Sequence, residues 1–164
     1  SRQGFLEGVV FSGGEPLVQE ALPDAISEVK ELGYKIGLHT SGALPNRFAK
    51  VLPFLDWVGL DIKQRFQNYQ LITNVPGSGE AALESLNLAL TSGVSLEVRT
   101  TMHESITKED VVKLSEELAQ KGVKNFVLQK CRDKDENIVE HPLFSDKLIL
   151  EGISKQFDSF CVRS

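Results

Sequence analysis

The 164 residues predict an α/β fold built around a parallel sheet. Two observations carry that prediction. Short apolar segments rich in β-formers alternate with longer segments of helical periodicity, and the order helix, glycine, strand recurs along the chain. With no linker and no shift in composition, residues 1–164 read as a single domain.

Gly8-Val9-Val10-Phe11-Ser12 is too short for a helix and opens the series as a strand. From Leu17 to Leu32 the apolar residues Ala21, Ala25, Ile26, Val29 and Leu32 recur at helical spacing, and Gly33 supplies a left-handed stop. Lys35–Thr40 reads as the next strand. Pro45–Phe54 predicts a shorter helix, with Pro45 in its first turn, before a strand over Trp57–Ile62. Glu80–Ser92 carries Leu83, Leu86 and Leu90 on one face, stops at Gly93, and leads into the strand Leu96–Thr100. Thr107–Lys121 opens with a capping box formed by Thr107 and Asp110. It stops at Gly122 and leads into Phe126–Gln129. The tail predicts a helix near Asp146–Gln156 and a weak last strand at Phe160–Val162.

The composition narrows the function classes. Hydrophobic residues make up 41% and charged residues 25%, the balance of an ordinary soluble chain. A net charge of −5 leaves no large basic footprint for nucleic acid or an anionic membrane. No apolar run approaches the roughly 20 residues that span a bilayer. The opening Ser1-Arg2-Gln3-Gly4 runs straight into a strand-like segment, so no signal peptide is expected. Two cysteines, Cys131 and Cys161, make no disulfide framework, and a reducing cytoplasmic setting is expected.

Parallel α/β sheets bind ligands at the carboxyl ends of their strands. The first strand leaves Ser12-Gly13-Gly14-Glu15-Pro16 there, and the second leaves His39-Thr40-Ser41-Gly42. The third leaves Asp61 and Lys63, the fourth Arg99, Thr100, Thr101 and His103, and the fifth Gln129, Lys130 and Arg132. Two residues without Cβ let a ligand approach the Gly13-Gly14 backbone closely. Each feature also has a plain reading. Ser41 can cap a helix, Arg99 can pair with an acidic neighbour, and His103 can be a surface residue. Gly77-Ser78-Gly79 lacks the lysine and spacing of a phosphate loop and reads as a helix-leading turn. Cys131, alone near the rim, reads as a small hydrophobe.

Gly13-Gly14-Glu15-Pro16, Thr40-Ser41-Gly42 and Gly59-Leu60-Asp61-Ile62-Lys63 follow three successive strands in that order. Together they resemble the radical S-adenosylmethionine (SAM) superfamily, specifically the activating proteins of glycyl radical enzymes. Trp57–Gln64, Ile72–Gly79 and Val98–Thr101 look most like the activating proteins of anaerobic ribonucleotide reductase. Pyruvate formate-lyase activating enzymes are close relatives. The resemblance covers about residues 6–132.

It implies a parallel-stranded, partial (β/α)6 TIM-like barrel, here lacking its first strand. It also implies a [4Fe–4S] cluster that reductively cleaves SAM, a glycyl radical enzyme as partner and an electron donor such as flavodoxin. By position, Gly13, Gly14, Glu15 and Pro16 match the motif that binds the SAM amino group. Thr40 and Asp61 match positions that line a monovalent cation site beside SAM in pyruvate formate-lyase activating enzymes. His39 stands where that cation site has an acidic residue, which argues against it here. Lys63 and Arg99 match basic positions near the SAM carboxylate, and the residues around Gln129 are expected on the adenosine side.

The family's cluster hangs on Cys-x3-Cys-x2-Cys in the loop after the first barrel strand. Cys131 and Cys161 do not form such a triad. The expectation is a truncated activase, inactive as written, with a non-catalytic SAM- or partner-binding module as the alternative. An unrelated barrel enzyme acting on a phosphorylated molecule would need a late glycine-rich loop, and residues 130–164 contain none. Without a preceding strand, Phe5–Phe11 is expected to be an apolar edge covered by another molecule or a terminal segment.

Overall fold

The computed structural model describes residues 6–164. Six strands alternate with helices along the chain: β1 (Gly8–Phe11), β2 (Lys35–Thr40), β3 (Trp57–Asp61), β4 (Ser95–Met102), β5 (Asn125–Lys130) and β6 (Ser159–Arg163). The helices are α1 (Leu22–Glu31), α2 (Pro45–Val51), α3 (Tyr69–Thr73), α4 (Ser78–Ser92), α5 (Lys108–Gln120) and α6 (Lys147–Ser154). The predicted α/β class with parallel pairing is what the structure shows.

The chain forms two compact units. One takes the residues up to Leu60 together with Glu80–Leu96; the other takes Asp61–Gly79 and Glu97–Ser164.

In the first unit β1, β2 and β3 are parallel neighbours, with Val9 opposite Ile36 and Leu38 opposite Val58. Ile36, Gly37 and Leu38 are buried in succession, so β2 is covered on both faces, as strands of parallel sheets are. Ile26, Phe48, Val58, Leu60 and Leu86 complete this core, none of them more than 1% exposed. Among the described residues β1 has β2 as its only paired strand, and Leu6 and Val10 remain exposed. The cover expected over this edge is therefore not supplied by the described residues, and Phe5 lies outside them.

In the second unit β4, β5 and β6 are parallel neighbours, with Arg99 opposite Val127 and Phe126 opposite Phe160. Its core gathers Val98, Met102, Leu114, Leu118, Phe126 and Leu128. The capping box of α5 is formed as the sequence predicts: Thr107 Oγ1 accepts from the Asp110 amide, and Asp110 Oδ2 accepts from the Thr107 amide, both at 3.1 Å.

The structure corrects several boundaries. The helix expected from Leu17 is split, because Glu15 caps a separate 3-10 turn over Pro16–Val18 before α1 starts at Leu22. The helix expected over Pro45–Phe54 ends at Val51 and tightens into a 3-10 turn, Leu52–Phe54. Periodicity gave no hint of α3, which is only five residues long. Asp146 caps α6 through the Ile149 amide instead of lying within the helix.

Candidate functional site

In the first unit the turn after β1 is built from Gly13 at φ +89° and Gly14 at φ +50°, backbone conformations that side chains disfavour. A Cβ on either would meet nothing within 4 Å, so this stretch of backbone faces open space. Among the described residues nothing donates to the Gly13 or Gly14 carbonyl.

Glu15 organises what lies beneath. Its carboxylate accepts from the Leu17 amide at 3.1 Å and from Thr40 Oγ1 at 2.8 Å. It also takes the Ser41 amide at 2.9 Å and Ser41 Oγ at 2.5 Å. A carboxylate offers about four lone-pair sites, and all four are used. Glu15 thus holds the loop in shape, with every acceptor position of its carboxylate engaged.

Thr40 is 2% exposed; its hydroxyl donates to Glu15 and accepts from the Gly42 amide at 3.1 Å. Gly42, at φ +70°, directs its carbonyl to Ser85 Oγ of α4 at 2.8 Å. A side chain at Gly42 would press on Leu60 and Ser85 at 3.0 Å. Ser41 does not cap α2, so that plain reading of it does not hold. Its hydroxyl is spent on Glu15, and the residue at the cap of α2 is Leu44, which makes no side-chain capping bond. His39 packs its ring edge-on to Trp57, with centroids 5.0 Å apart.

In the second unit Asp61, Lys63 and Arg99 lie together. Arg99 donates through Nε at 2.9 Å and Nη2 at 2.8 Å, both to Asp61 Oδ1. The burial is unequal: the Arg99 side chain is 9% exposed and that of Asp61 40%. The intervening Ile62 is tied to β4 on both sides of its peptide. Its amide donates to the Arg99 carbonyl at 2.8 Å, and its carbonyl accepts from Thr100 Oγ1 at 2.7 Å. Asp61, Lys63 and Arg99 line a cavity of about 340 Å³ with Thr101, His103 and Cys131. His103 is exposed and its Nδ1 lies 2.8 Å from Ser105 Oγ. Lys130 turns to the ring of Phe144, and Arg132 donates to the Glu136 carbonyl.

Sequence reading missed Tyr69. Its hydroxyl accepts from the Lys63 amide at 3.1 Å and donates to the Asp61 carbonyl at 3.2 Å. Burial, reinforced by the Asp61 charge and opposed by the Lys63 amide, pushes the phenol up to about 12. The hydroxyl therefore keeps its proton at any physiological pH. An isolated aromatic six positions after Lys63 carries no periodic signal that would have found it.

The comparisons with known proteins agree with this picture. The chain belongs to the radical SAM superfamily, whose family model matches residues 1–127. Over 104 residues it is 27% identical to the Fe-coproporphyrin III synthase of Methanosarcina barkeri, spanning 62% of this chain and 26% of that protein. Over 61 residues it is 36% identical to the 7-carboxy-7-deazaguanine synthase of Thermococcus kodakarensis, spanning 37% of this chain and 24% of that protein. The matches thus span about a quarter of the length of these relatives.

Among solved structures, a domain of pyruvate-formate lyase-activating enzyme from Bacteroides vulgatus superposes with a TM-score of 0.74 at 17% identity. That match covers 94% of this chain and 98% of the other. Archaeal TYW1 superposes with a TM-score of 0.69 at 17% identity, over 92% of this chain and 50% of the other. The shared fold is the α/β, partial-barrel type of the superfamily.

Family membership implies SAM and a [4Fe–4S] cluster, and the donor set suits only the first. In the second unit, the cavity lined by Lys63 and Arg99 offers positive charge that suits an anionic group such as a carboxylate. A cluster with one open iron needs three thiolates, and the 164 residues contain two cysteines, 30 positions apart. Among the described residues no group of three or more His, Cys, Asp or Glu side chains could hold a metal. No helix of the described residues is long and apolar enough to cross a membrane.

Proposed function

We propose that this chain belongs to a radical SAM activase that generates a glycyl radical on a partner enzyme of the anaerobic ribonucleotide reductase type. The observation that carries the reading is the Gly13-Gly14 backbone, open to a ligand and braced from below by Glu15, Thr40 and Ser41. In this reading the glycine carbonyls take the SAM ammonium, while Glu15 and Thr40 shape the loop. Pro16, buried in the 3-10 turn, fixes its exit. Lys63 and Arg99 match basic positions of the family, and Asp61 orients the Arg99 guanidinium. The choice of an activase among the chemistries of this superfamily rests on Trp57–Gln64, Ile72–Gly79 and Val98–Thr101, with the likeness to a pyruvate-formate lyase-activating enzyme domain supporting the fold alone.

The activity requires thiolates beyond Cys131 and Cys161. That shortage favours a second reading, a non-catalytic module of the same fold that binds SAM or a partner. One experiment separates them. The full-length protein is reconstituted anaerobically with iron and sulfide, reduced by flavodoxin or dithionite, and assayed for 5′-deoxyadenosine and for a glycyl radical on the partner enzyme. About four irons per chain, SAM cleavage and the radical signal support the activase. SAM binding with neither cluster nor cleavage transfers the assignment to the module.

A further inference from the structure

We infer that Tyr69 is a positioning residue: its single hydroxyl clamps the Asp61–Lys63 segment so that Lys63 is presented to an anionic group in the adjoining cavity. The argument begins with strand geometry. Along an extended backbone, the amide and carbonyl of one residue point to the same edge, and those of the next residue to the opposite edge. Ile62 spends its amide and carbonyl on the β4 side, at the Arg99 carbonyl and Thr100 Oγ1. The Asp61 carbonyl and the Lys63 amide consequently face the other edge, where the Tyr69 phenol meets both at 3.2 and 3.1 Å. By donating to one and accepting from the other, the phenol stands in for the amide and carbonyl that one residue of a neighbouring strand would supply.

The phenol is itself held in place. Tyr69 is 3% exposed and stacks on Phe66, with centroids 6.4 Å apart and planes 7° from parallel. Gly79 makes this possible: a Cβ there would drive into the Phe66 carbonyl oxygen and stand 3.2 Å from Tyr69 Cβ. The three residues Phe66, Tyr69 and Gly79 form a brace behind the segment that carries the Lys63 ammonium and the carboxylate partner of Arg99.

The inference rests on the proposed function only for the identity of the ligand, SAM. It is tested in the full-length protein with Tyr69→Phe, which keeps the ring and removes the hydroxyl. Two measurements are made: exchange of the Lys63 amide resolved by NMR, and SAM affinity by calorimetry. Tyr69→Phe removes two hydrogen bonds, and loss of the one from the Lys63 amide alone corresponds to a roughly five- to tenfold effect. The expected result is Lys63 exchange about tenfold faster, with Val98 and Leu128 amides unchanged, and SAM affinity lowered about five- to tenfold. In a Lys63→Ala background the effect of Tyr69→Phe on affinity should vanish, because the hydroxyl acts through Lys63. Unchanged Lys63 exchange overturns the clamp, and so does an affinity loss that persists in full without the Lys63 side chain. If the wild-type protein binds no SAM, the proposed function falls, and Lys63 exchange still decides the clamp.

Discussion

Glu15 and Ser41, 26 positions apart in sequence, are joined by two hydrogen bonds to one oxygen: Glu15 Oε2 accepts from the Ser41 amide at 2.9 Å and from Ser41 Oγ at 2.5 Å. The same carboxylate holds Thr40 through its other oxygen. The loop after β1 is thereby tied to the end of β2, and the residues of two motifs become one hydrogen-bonded unit.

Replacing Glu15 by Ala should strand the Ser41 amide and the Thr40 hydroxyl without their acceptor. We expect a loss of about 2–3 kcal/mol, since unpaired donors in a half-buried setting cost about 1–3 kcal/mol together with the lost charge-assisted bonds. Glu15→Gln should recover only part of this, because an amide nitrogen aimed at the Ser41 donors repels them. Urea denaturation of the three proteins measures the order. Equal stability of Glu15→Ala and wild type would count against the network.

The Asp61–Arg99 pair should respond unequally to loss of either partner. Asp61→Asn leaves the guanidinium buried without its counter-charge, whereas Arg99→Met leaves a carboxylate that is 40% exposed to water. Solvent screening on the Asp61 side limits the first effect to about 1–2 kcal/mol. The second variant should cost less. Chemical denaturation gives the comparison, and the reverse order would mean that Asp61 is the more constrained partner.

Tyr69 predicts an alkaline limb in the stability curve. Its phenol titrates at 10.0 when unperturbed and at about 12 in the folded protein. Between these values the unfolded chain gives up a proton that the folded chain keeps. The contribution is therefore complete below pH 10 and disappears as the pH rises to about 12, amounting to about 2–3 kcal/mol. In Tyr69→Phe this limb should be shallower by that amount. A difference titration near 295 nm between the two proteins isolates the phenol, and a midpoint near 10 would contradict its burial.

At the start of α5, Thr107→Ala removes one half of a capping box and frees the Asp110 amide. The expected cost is about 1 kcal/mol, read by thermal or urea unfolding. Thr107→Ser should restore most of it. Stability unchanged in the alanine variant would show that the first turn of α5 is satisfied by water alone.

Much of this architecture was legible because it is written locally. The capping box of Thr107 and Asp110 needs only four residues, and the stops at Gly33, Gly93 and Gly122 need one each. All three glycines adopt positive φ in the structure. The alternation of strands and helices needs nothing beyond periodicity. The short α3 escaped because five residues complete barely more than one helical turn. The start of α1 was misplaced because the Glu15 cap draws Pro16–Val18 into a separate turn.

The site divides along the same line. The motifs around Gly13, Thr40, Asp61 and Arg99 could be read off the chain, together with the family to which they belong. Only tertiary structure decided what each residue does there. Glu15 is consumed by Thr40 and Ser41, Ser41 caps no helix, and Arg99 is committed to Asp61. Tyr69 enters because folding brings it against a strand segment six positions earlier. Motifs record which chemistry a position offers, whereas hydrogen-bond capacity is used up between residues distant in sequence. A residue's free valence is therefore a property of the fold.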